Sequence, residues 1–343
     1  MDSPLLAEPG AVPAQGPDAG VAAHYGDPYA EQRGIVAGWG LVDASNRDVI
    51  TITGPDRLSW LHSLTTQHLE GLAPGASAQA LILDPQGHVE HVLWLTDDGQ
   101  TTWAHTEPGA AAPLLAFLAS MRFMLRVELA DVTGEHAVLA LLGPGAAGHL
   151  PAAAPAVSDR FESAVIVPRA GLAARAAALR EAGAVLAGTW AHEALRIAAG
   201  VPRPGLDTDH RSLPHEMGWI ETAVHLSKGC YRGQETVARV HNLGHPPRRL
   251  VRLLLDGSED RLPGHGDPVT LDGTDVGFTG SAARHYELGP VALAVVRRTV
   301  PVGATLLAAG IPAAQEVIVS PDAGGTAQAV VRQVRAGLIG RGR

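Results

Sequence analysis

Residues 228–235 read Lys-Gly-Cys-Tyr-Arg-Gly-Gln-Glu, and Cys230 is the one cysteine in a sequence of 343 residues. Thiols react and bind metals as thiolates, and nearby cations stabilise that charged form. Lys228 and Arg232 each stand two positions from Cys230, and positions i−2, i and i+2 share one face of an extended segment. The spacing therefore predicts that both cations lie beside a reactive thiol.

The residues around the thiol favour a loop that runs into a helix. Gly229 and Gly233 permit backbone angles closed to other residues, and good helix formers begin at Gln234. The free N–H groups of a helix N-terminus favour an anion, such as a thiolate or a ligand carboxylate. The alternative is a buried structural thiol, because free cysteine often behaves as a small hydrophobe. The charged, glycine-rich surroundings favour the functional interpretation.

Length and composition limit the class of protein. The 343 residues, 46% hydrophobic and 18% charged, suffice for two or three domains. No apolar run reaches the roughly 20 residues that a transmembrane helix needs. A single cysteine excludes an intramolecular disulfide and the N-terminus lacks a secretory pattern, so we expect a cytoplasmic protein. The net charge of −9 disfavours a broad nucleic-acid surface. The cluster of Arg248, Arg249 and Arg252 is either a local basic patch or a solvated strand end.

The chain divides by pattern into four parts. Residues 1–28 are rich in Ala, Pro, Gly and Asp with little periodic hydrophobicity, which predicts a disordered tail. Over 29–247, strands, helices and hairpins alternate irregularly, which predicts an α+β region. Over 248–335, short strands separated by Gly/Pro turns predict a small barrel or sandwich. Residues 336–343 are predicted to fray.

Other sites receive less support from the sequence. The 16 histidines show no Cys/His pair at ligand spacing, which disfavours a dedicated metal site. The glycine-rich segment 143–148 lacks the spacing of a dinucleotide loop, and no nucleophile elbow is present. The 228–235 motif is therefore the strongest candidate for function.

A family resemblance rests on that motif. Residues 228–239, KGCYRGQETVAR, resemble the KGCYxGQExxAR signature of the YgfZ-type folate-binding proteins, relatives of the glycine-cleavage T-protein. Residues 53–61 (TGPDRLSWL), 195–200 (LRIAAG) and 213–218 (LPHEMG) resemble further segments of the family, and the resemblance spans about 30–335. It implies a three-lobed GcvT-like fold in which two α+β lobes and a C-terminal antiparallel β-barrel surround a central folate-binding hole.

The resemblance also implies a function. It implies a tetrahydrofolate-binding protein that supports iron–sulfur cluster assembly or repair, with Cys230 as a redox-active thiol or transient ligand to iron or a cluster, tuned by Lys228 and Arg232. A soft thiolate suits such chemistry. One cysteine cannot supply four cluster ligands, so either a cluster would be bridged to a client or assembly protein, or Cys230 would carry out thiol chemistry instead. The alternatives are folate-dependent aminomethyl transfer of the T-protein type and an indirect role in tRNA modification.

The resemblance predicts folate contacts less directly. A pterin has an N–H edge that a carboxylate binds, and a glutamate tail that needs a cation. The glutamate of the family's LRLEAG segment falls on Ala198, and the catalytic-region acid falls near Glu90 and His91. Glu216, or else Glu193, is predicted to replace the lost glutamate. The remaining predicted contacts are Arg196, Tyr231, Gln234, Glu235 and Arg239. Local ion pairs and surface charges are the alternative for these charged residues. The lost glutamate weakens the aminomethyltransferase alternative, because that reaction needs a placed carboxylate.

Overall fold

The computed structural model describes residues 1–150 and 154–325. Its strands are β1 (Val12–Pro13), β2 (Ala22–His24), β3 (Gly40–Asp43), β4 (Asp48–Thr53), β5 (Ser77–Leu83), β6 (Val89–Asp97), β7 (Thr101–Thr106), β8 (Glu128–Asp131), β9 (His136–Leu142), β10 (Ala156–Ser158), β11 (Glu162–Pro168), β12 (Val185–Ala187), β13 (Arg248–Leu255), β14 (Pro268–Leu271), β15 (Thr274–His285), β16 (Gly289–Arg297), β17 (Leu306–Ala308) and β18 (Ile311–Val317). Its α-helices are α1 (Pro28–Ala37), α2 (Arg57–Leu64), α3 (Ala111–Ser120), α4 (Leu172–Glu181), α5 (Thr189–Ala198), α6 (Ile220–Ala223) and α7 (Gln234–Leu243). Short 3₁₀ turns cover Pro4–Ala7, Gly16–Asp18, Ala146–His149 and Arg169–Gly171.

The first lobe is an antiparallel sheet in the order β5-β6-β7-β4-β8, covered by α2 and α3. Its core joins alternate residues of β4 to apolar residues of both helices, among them Trp60 and Leu114. The turn before α2 requires Gly54, whose φ is +105°, because a Cβ there would lie 2.1 Å from the carbonyl oxygen of Arg126. This glycine therefore allows α2 and the chain entering β8 to meet closely.

The second lobe is a mixed sheet in the order β10-β11-β9-β3-β12, in which β12 pairs with β3 in parallel. The C-terminal part is a closed antiparallel barrel in the order β13-β16-β15-β14-β17-β18. A buried cluster joins the first lobe, α5 and the barrel through residues such as Leu83, Ile197, Tyr231 and Leu293. The predicted α+β class, with two lobes and an antiparallel barrel, is confirmed.

The prediction of a disordered tail at residues 1–28 is wrong. Leu5 lies in the core of the second lobe, Val21 is fully buried, and β1 pairs with β2. The Ser3 hydroxyl donates a hydrogen bond to Asp43 on β3. A few well-placed apolar residues and polar contacts order this segment by packing on the lobe, and composition does not show such tertiary contacts.

The predicted fraying at residues 336–343 lies outside the described residues, as does the end of the predicted barrel region beyond residue 325. Every helix within the described ranges is too short or too polar to cross a membrane.

Candidate functional site

The 228–235 motif forms a loop that ends in α7, as predicted. Gly233 is the N-cap residue of α7 with φ +80°. A Cβ on Gly233 would lie 2.6 Å from the carbonyl oxygen of Asp84, in the turn between β5 and β6. Gly87 in that turn also has positive φ, and a Cβ there would meet Thr236 at 2.7 Å. These two glycines let the start of α7 pack directly against the β5–β6 turn.

Lys228 anchors the loop to the C-terminal end of α2. Its Nζ donates hydrogen bonds to the carbonyl oxygens of His62, Thr65 and Gln67 at the C-terminal end of α2, with 3.1 Å to Gln67. Burial lowers the pKa of Lys228 to about 8, which still leaves the ammonium mostly charged at neutral pH. These contacts hold the loop on the first lobe, and the predicted action of Lys228 on the thiol stays a prediction.

The expectation that Lys228 and Cys230 share one face is wrong. Lys228 is 7% exposed and points inward, whereas Cys230 is exposed. The loop turns because Lys228 binds the end of α2. Tyr231, 8% exposed, packs in the buried cluster that joins the first lobe, α5 and the barrel. Burial raises the pKa of Tyr231 to about 12. The alternative of a buried structural thiol does not apply to Cys230.

Arg232 connects the loop to β6. Its guanidinium donates to the Glu90 carboxylate at 2.7 Å and lies 5.5 Å from the centre of the Phe117 ring on α3. The Phe117 ring is also 6.1 Å from the ring of His91. The predicted cation at position 232 is therefore paired with a carboxylate, and this pair brings three predicted site residues together.

A β-bulge explains why Glu90 and His91 face the same space. The pairing of β6 with β5 shifts register, so that His91 lies opposite Ile82 and Val89 lies opposite Leu83. Glu90 is the extra residue, and such bulges re-aim side chains next to functional sites. In a regular strand, consecutive residues face opposite sides.

That space is a cleft of about 510 Å³, which we call the β6 cleft. Residues 89–92, 106–110, 203–206 and 208–210 line it together with Pro17. Burial lowers the pKa of His91, so its ring is neutral at physiological pH. The cleft thus offers a partly exposed carboxylate, a neutral imidazole and apolar walls, within the size range of small-molecule sites.

An ion cluster extends from one wall of the cleft, which Glu107 and Arg203 line, into the protein. The Arg203 guanidinium donates to Glu107 at 2.7 Å and to Asp18 at 2.8 Å, and lies 3.4 Å from Glu193. Burial opposes the ionisation of Glu193, but the charges of Arg196 and Arg203 outweigh it and hold the pKa of Glu193 well below its usual value. Arg203 is therefore a hub that neutralises carboxylates from three segments of the chain.

A second cleft lies on the other side of the Asp18–Arg203 pair. This cleft of about 460 Å³, between α1, α5 and the barrel, is lined by Asp18 and Trp190 among other residues. Leu206 lines both clefts, and the Asp18–Arg203 pair contributes one residue to each. The Asp18–Arg203 pair therefore lies between these two clefts.

Two predicted folate contacts are ion-paired inside the protein. Arg196 is buried and pairs with Glu193 at 2.7 Å and Asp207 at 2.8 Å. Glu216 is fully buried, pairs with Arg248 at 2.9 Å and accepts a hydrogen bond from the Leu213 N–H. Neither residue lines the β6 cleft. For both residues, the structure shows a local ion pair, which the sequence analysis gave as the alternative to a folate contact.

The other predicted contacts lie at the loop and beyond it. Gln234 and Glu235 form the first turn of α7, where the Gln234 N–H donates to the Tyr231 carbonyl at 3.2 Å. Arg239 is exposed and lines a separate groove. Ala198 is half-buried on α5, and its carbonyl accepts from Arg252. These residues are not brought together in one site.

The three arginines of the first barrel strand do not form a basic patch. Arg248 pairs with Asp209 and Glu216, Arg249 is buried and Arg252 pairs with Glu316. The solvated strand end is also not what the structure shows. Ion pairing neutralises this part of the barrel surface.

Sequence reasoning missed the residues that complete the β6 cleft, chiefly Glu107, Arg203, Thr208 and His210. One available signal was a cation between two prolines, Pro202-Arg203-Pro204, soon after the 195–200 segment. In the described part of the chain, no group of three or more His, Cys, Asp or Glu residues is arranged to hold a metal ion.

Comparisons with known proteins agree with this architecture. Residues 24–164 match the model of the GCVT N-terminal domain family. An aminomethyltransferase of Rubrobacter xylanophilus is 31% identical over 291 residues, covering 76% of each chain. An aminomethyltransferase of Nostoc sp. is 27% identical, covering 75% of this chain and 76% of the relative. The crystal structure of glycine cleavage system aminomethyltransferase T from Bartonella henselae superposes with a TM-score of 0.77 at 20% identity, covering 92% of this chain and 96% of that one.

Proposed function

Because the chain belongs to the GcvT aminomethyltransferase family, we propose that it binds a tetrahydrofolate in the β6 cleft and uses Cys230 beside that cleft to support iron–sulfur cluster assembly or repair. The observation that carries the proposal is the 2.7 Å pair between Arg232, two residues from the exposed thiol, and Glu90 of the cleft. Ligand and thiol chemistry then share one connected surface.

The cleft fits a folate at its pterin end. The Glu90 carboxylate is 37% exposed and accepts N–H donors, so it suits the donor edge of a pterin. The neutral ring of His91 adds a hydrogen-bonding group on the same side. When bound, a tetrahydrofolate would supply a nitrogen that carries one-carbon units. The protein's part is to hold and orient the ring against the apolar walls.

Cys230 supports the second half of the proposal. An exposed thiolate can bind iron, either as a single ion or within an iron–sulfur cluster. Because one thiolate cannot hold a cluster alone, the cluster is cargo that Cys230 shares with a partner protein. The folate and the thiol would work in a reducing compartment, for which we propose the cytoplasm.

Thermal melting with added tetrahydrofolate tests the folate site. Ligand binding adds RT ln(1 + [L]/Kd) to the free energy of unfolding and so raises Tm. We expect the rise in wild type and in Cys230→Ser, and a much smaller rise in Glu90→Gln. Glu259→Gln is a matched control, because Glu259 is similarly exposed and paired with Arg261 away from the cleft. Equal rises in all four proteins, or none in wild type, would refute a folate site at Glu90.

Complementation tests the thiol. In cells that lack this protein, Cys230→Ser should melt like wild type yet fail to restore the activity of an iron–sulfur enzyme. Full restoration by the serine variant would refute the maturation role.

Aminomethyl transfer is a second candidate. It is favoured by the relatives that bear that name and by the position of Glu90 and His91, where the family resemblance places the catalytic-region acid. It predicts that product forms from an aminomethyl donor and tetrahydrofolate with wild type and Cys230→Ser, and is lost with Glu90→Gln. Absence of product with wild type, while folate still raises Tm, would favour the maturation role.

A further inference from the structure

The segment between α3 and β8 presents large apolar side chains to solvent. Residues 121–126 read Met-Arg-Phe-Met-Leu-Arg, and we call them the apolar loop. Phe123 and Met124 are 91% and 92% exposed, and Met121 and Leu125 are each 41% exposed. Contiguous exposed apolar residues of this size mark interaction sites more often than isolated ones do.

Both ends of the apolar loop are fixed to the first lobe. At its start, the Trp60 indole N–H donates to the carbonyl of Met121 at 3.1 Å. At its end, Arg126 donates three hydrogen bonds to the Asp56 carboxylate, one from its main-chain N–H. Between them, the Leu125 N–H donates to the Arg122 carbonyl at 3.0 Å and closes a turn. The main chain of the loop is therefore held at both ends and by one turn, which lowers the entropy cost of binding a partner.

The conformation of Phe123 is unfavourable for the isolated chain. Its φ is +51°, a left-handed conformation that bulky residues rarely adopt. Its ring, being 91% exposed, recovers little energy from packing. Strained residues of this kind concentrate at functional sites, where a partner's contacts offset the strain.

One contact connects the helix before the apolar loop to the 228–235 motif. Phe117, which contacts Arg232, stands four residues before Met121 on α3. Four residues of helix span about 6 Å. The Arg232 side chain of the motif therefore lies within about one helical turn of the start of the apolar loop, so we expect a protein that covers both to meet the 228–233 loop.

The charge of the apolar loop indicates which kind of partner surface would fit it. The apolar loop contains two arginines and no acid, in a chain of net charge −9. Arg126 pairs with Asp56, and Arg122 has no ion pair among the described residues. A complementary surface would have an apolar cleft with carboxylates at its rim. A lipid surface is less suitable, because anionic lipids would attract one free cation but repel the chain's overall negative charge.

We propose that the apolar loop is the docking site for the protein that shares a cluster with Cys230, and that this partner presents an apolar cleft rimmed by carboxylates. This inference rests on the proposed function. It assigns partner binding to the apolar loop, a surface separate from Cys230, and this surface would hold the partner's cluster ligands near the thiol.

Complementation with surface variants tests the docking site. In cells lacking this protein, Phe123→Ser with Met124→Ser should lower the restored activity of an iron–sulfur enzyme at least tenfold. The matched control is Val302→Ser with Leu307→Ser, two barrel residues that are 43% and 40% exposed, and it should restore activity fully. Because the loop residues make few contacts, the purified loop variant should keep its Tm and its folate-dependent rise.

The outcomes separate this inference from the proposed function. If Cys230→Ser fails to restore activity and the loop variant restores it fully, the docking site is refuted and the thiol role stands. If Cys230→Ser restores activity, the proposed function has failed and the docking site fails with it. Two further results would overturn a protein partner in favour of another occupant. These are binding of wild type to phosphatidylglycerol-containing vesicles that the loop variant loses, and a wild-type dimer in sedimentation that the loop variant converts to monomer.

Phe123→Asn separates a docking role from a structural one. Asn tolerates positive φ better than Phe, so the variant should melt about 2 °C higher than wild type. The same substitution removes the ring and should still lower the restored enzyme activity. A more stable protein that restores activity fully would show that the ring is not needed by any partner.

Discussion

Replacing His105 should make the fold less sensitive to acid. His105 on β7 is 2% exposed, and its ring stacks on Trp94 with 5.4 Å between ring centres. Its Nδ1 has no hydrogen-bond partner among the described residues. Burial, with a smaller contribution from the charge of Arg47, lowers the pKa of His105 from 6.5 to about 3. The folded protein therefore holds this ring neutral.

The sign and size of the effect follow from proton linkage. The pKa of His105 is lower in the folded state than in the unfolded state, so the unfolded chain binds more protons as pH falls below about 6.5. The stability that His105 contributes in its neutral form is present above that pH and is lost as pH falls towards 3. Between pH 7 and pH 5, the loss is about 2 kcal/mol.

Urea unfolding of wild type, His105→Gln and His105→Phe at pH 7, 6 and 5 measures this loss. Each variant changes packing by an amount that does not depend on pH. The informative quantity is therefore the difference in free energy of unfolding between wild type and variant. From pH 7 to pH 5 this difference should change by about 2 kcal/mol. His265→Gln, at an exposed position, should leave the wild-type slope unchanged. Parallel pH curves for wild type and both His105 variants would refute the reasoning.

Three further variants test the packing around the site, each measured by urea unfolding at pH 7. Arg203→Met leaves buried carboxylates without a cation and should lower the free energy of unfolding by about 3 kcal/mol; a loss below about 1 kcal/mol would contradict its role as a hub. Gly233→Ala should cost about 3 kcal/mol, since φ is +80° and the new Cβ would lie 2.6 Å from a main-chain oxygen. Gly229→Ala is its control, because a Cβ there meets no atom within 4 Å, and equal losses would contradict the argument. Lys228→Met removes the donor to three carbonyls and should cost about 2 kcal/mol; an unchanged midpoint would show that water replaces it.

Features set by local pattern were predictable from the sequence. Short strands separated by Gly/Pro turns after residue 248 predict a barrel or sandwich, because β-hairpins depend on nearby turn residues, and the family resemblance selects the barrel. The helix after Gly233 follows from a glycine and a run of helix formers. The ordered N-terminus was not predictable, because it depends on Leu5 and Val21 packing against segments distant in sequence.

The site was predictable in its residues but less so in their contacts. The motif indicated a functional rather than a buried thiol, and Cys230 is exposed. It did not show that Lys228 reaches the end of α2, or that a bulge turns Glu90 into the cleft. It also missed Arg203, whose partners at Asp18 and Glu107 are far away in sequence. Such contacts depend on how the lobes pack, and residue spacing contains no record of that.

The pair between Glu90 and Arg232 predicts that folate binding changes the reactivity of Cys230. A pterin that takes the Glu90 carboxylate as its acceptor competes with Arg232, whose guanidinium now lies 2.7 Å from that carboxylate. Arg232 would then lose its partner two residues from the thiol, and an unpaired cation nearby favours the thiolate. We therefore expect tetrahydrofolate to raise the alkylation rate of Cys230 by iodoacetamide at pH 7.

Two variants separate this coupling from a steric effect of the ligand. Glu90→Gln removes the charge that holds Arg232, so it should raise the alkylation rate without folate. Arg232→Met should abolish the response to folate while leaving the thiol exposed. If folate instead protects Cys230 from alkylation, the ligand covers the thiol and the electrostatic argument is wrong. If folate binds and the rate stays constant, Arg232 does not control the thiolate population, and the two halves of the site work independently.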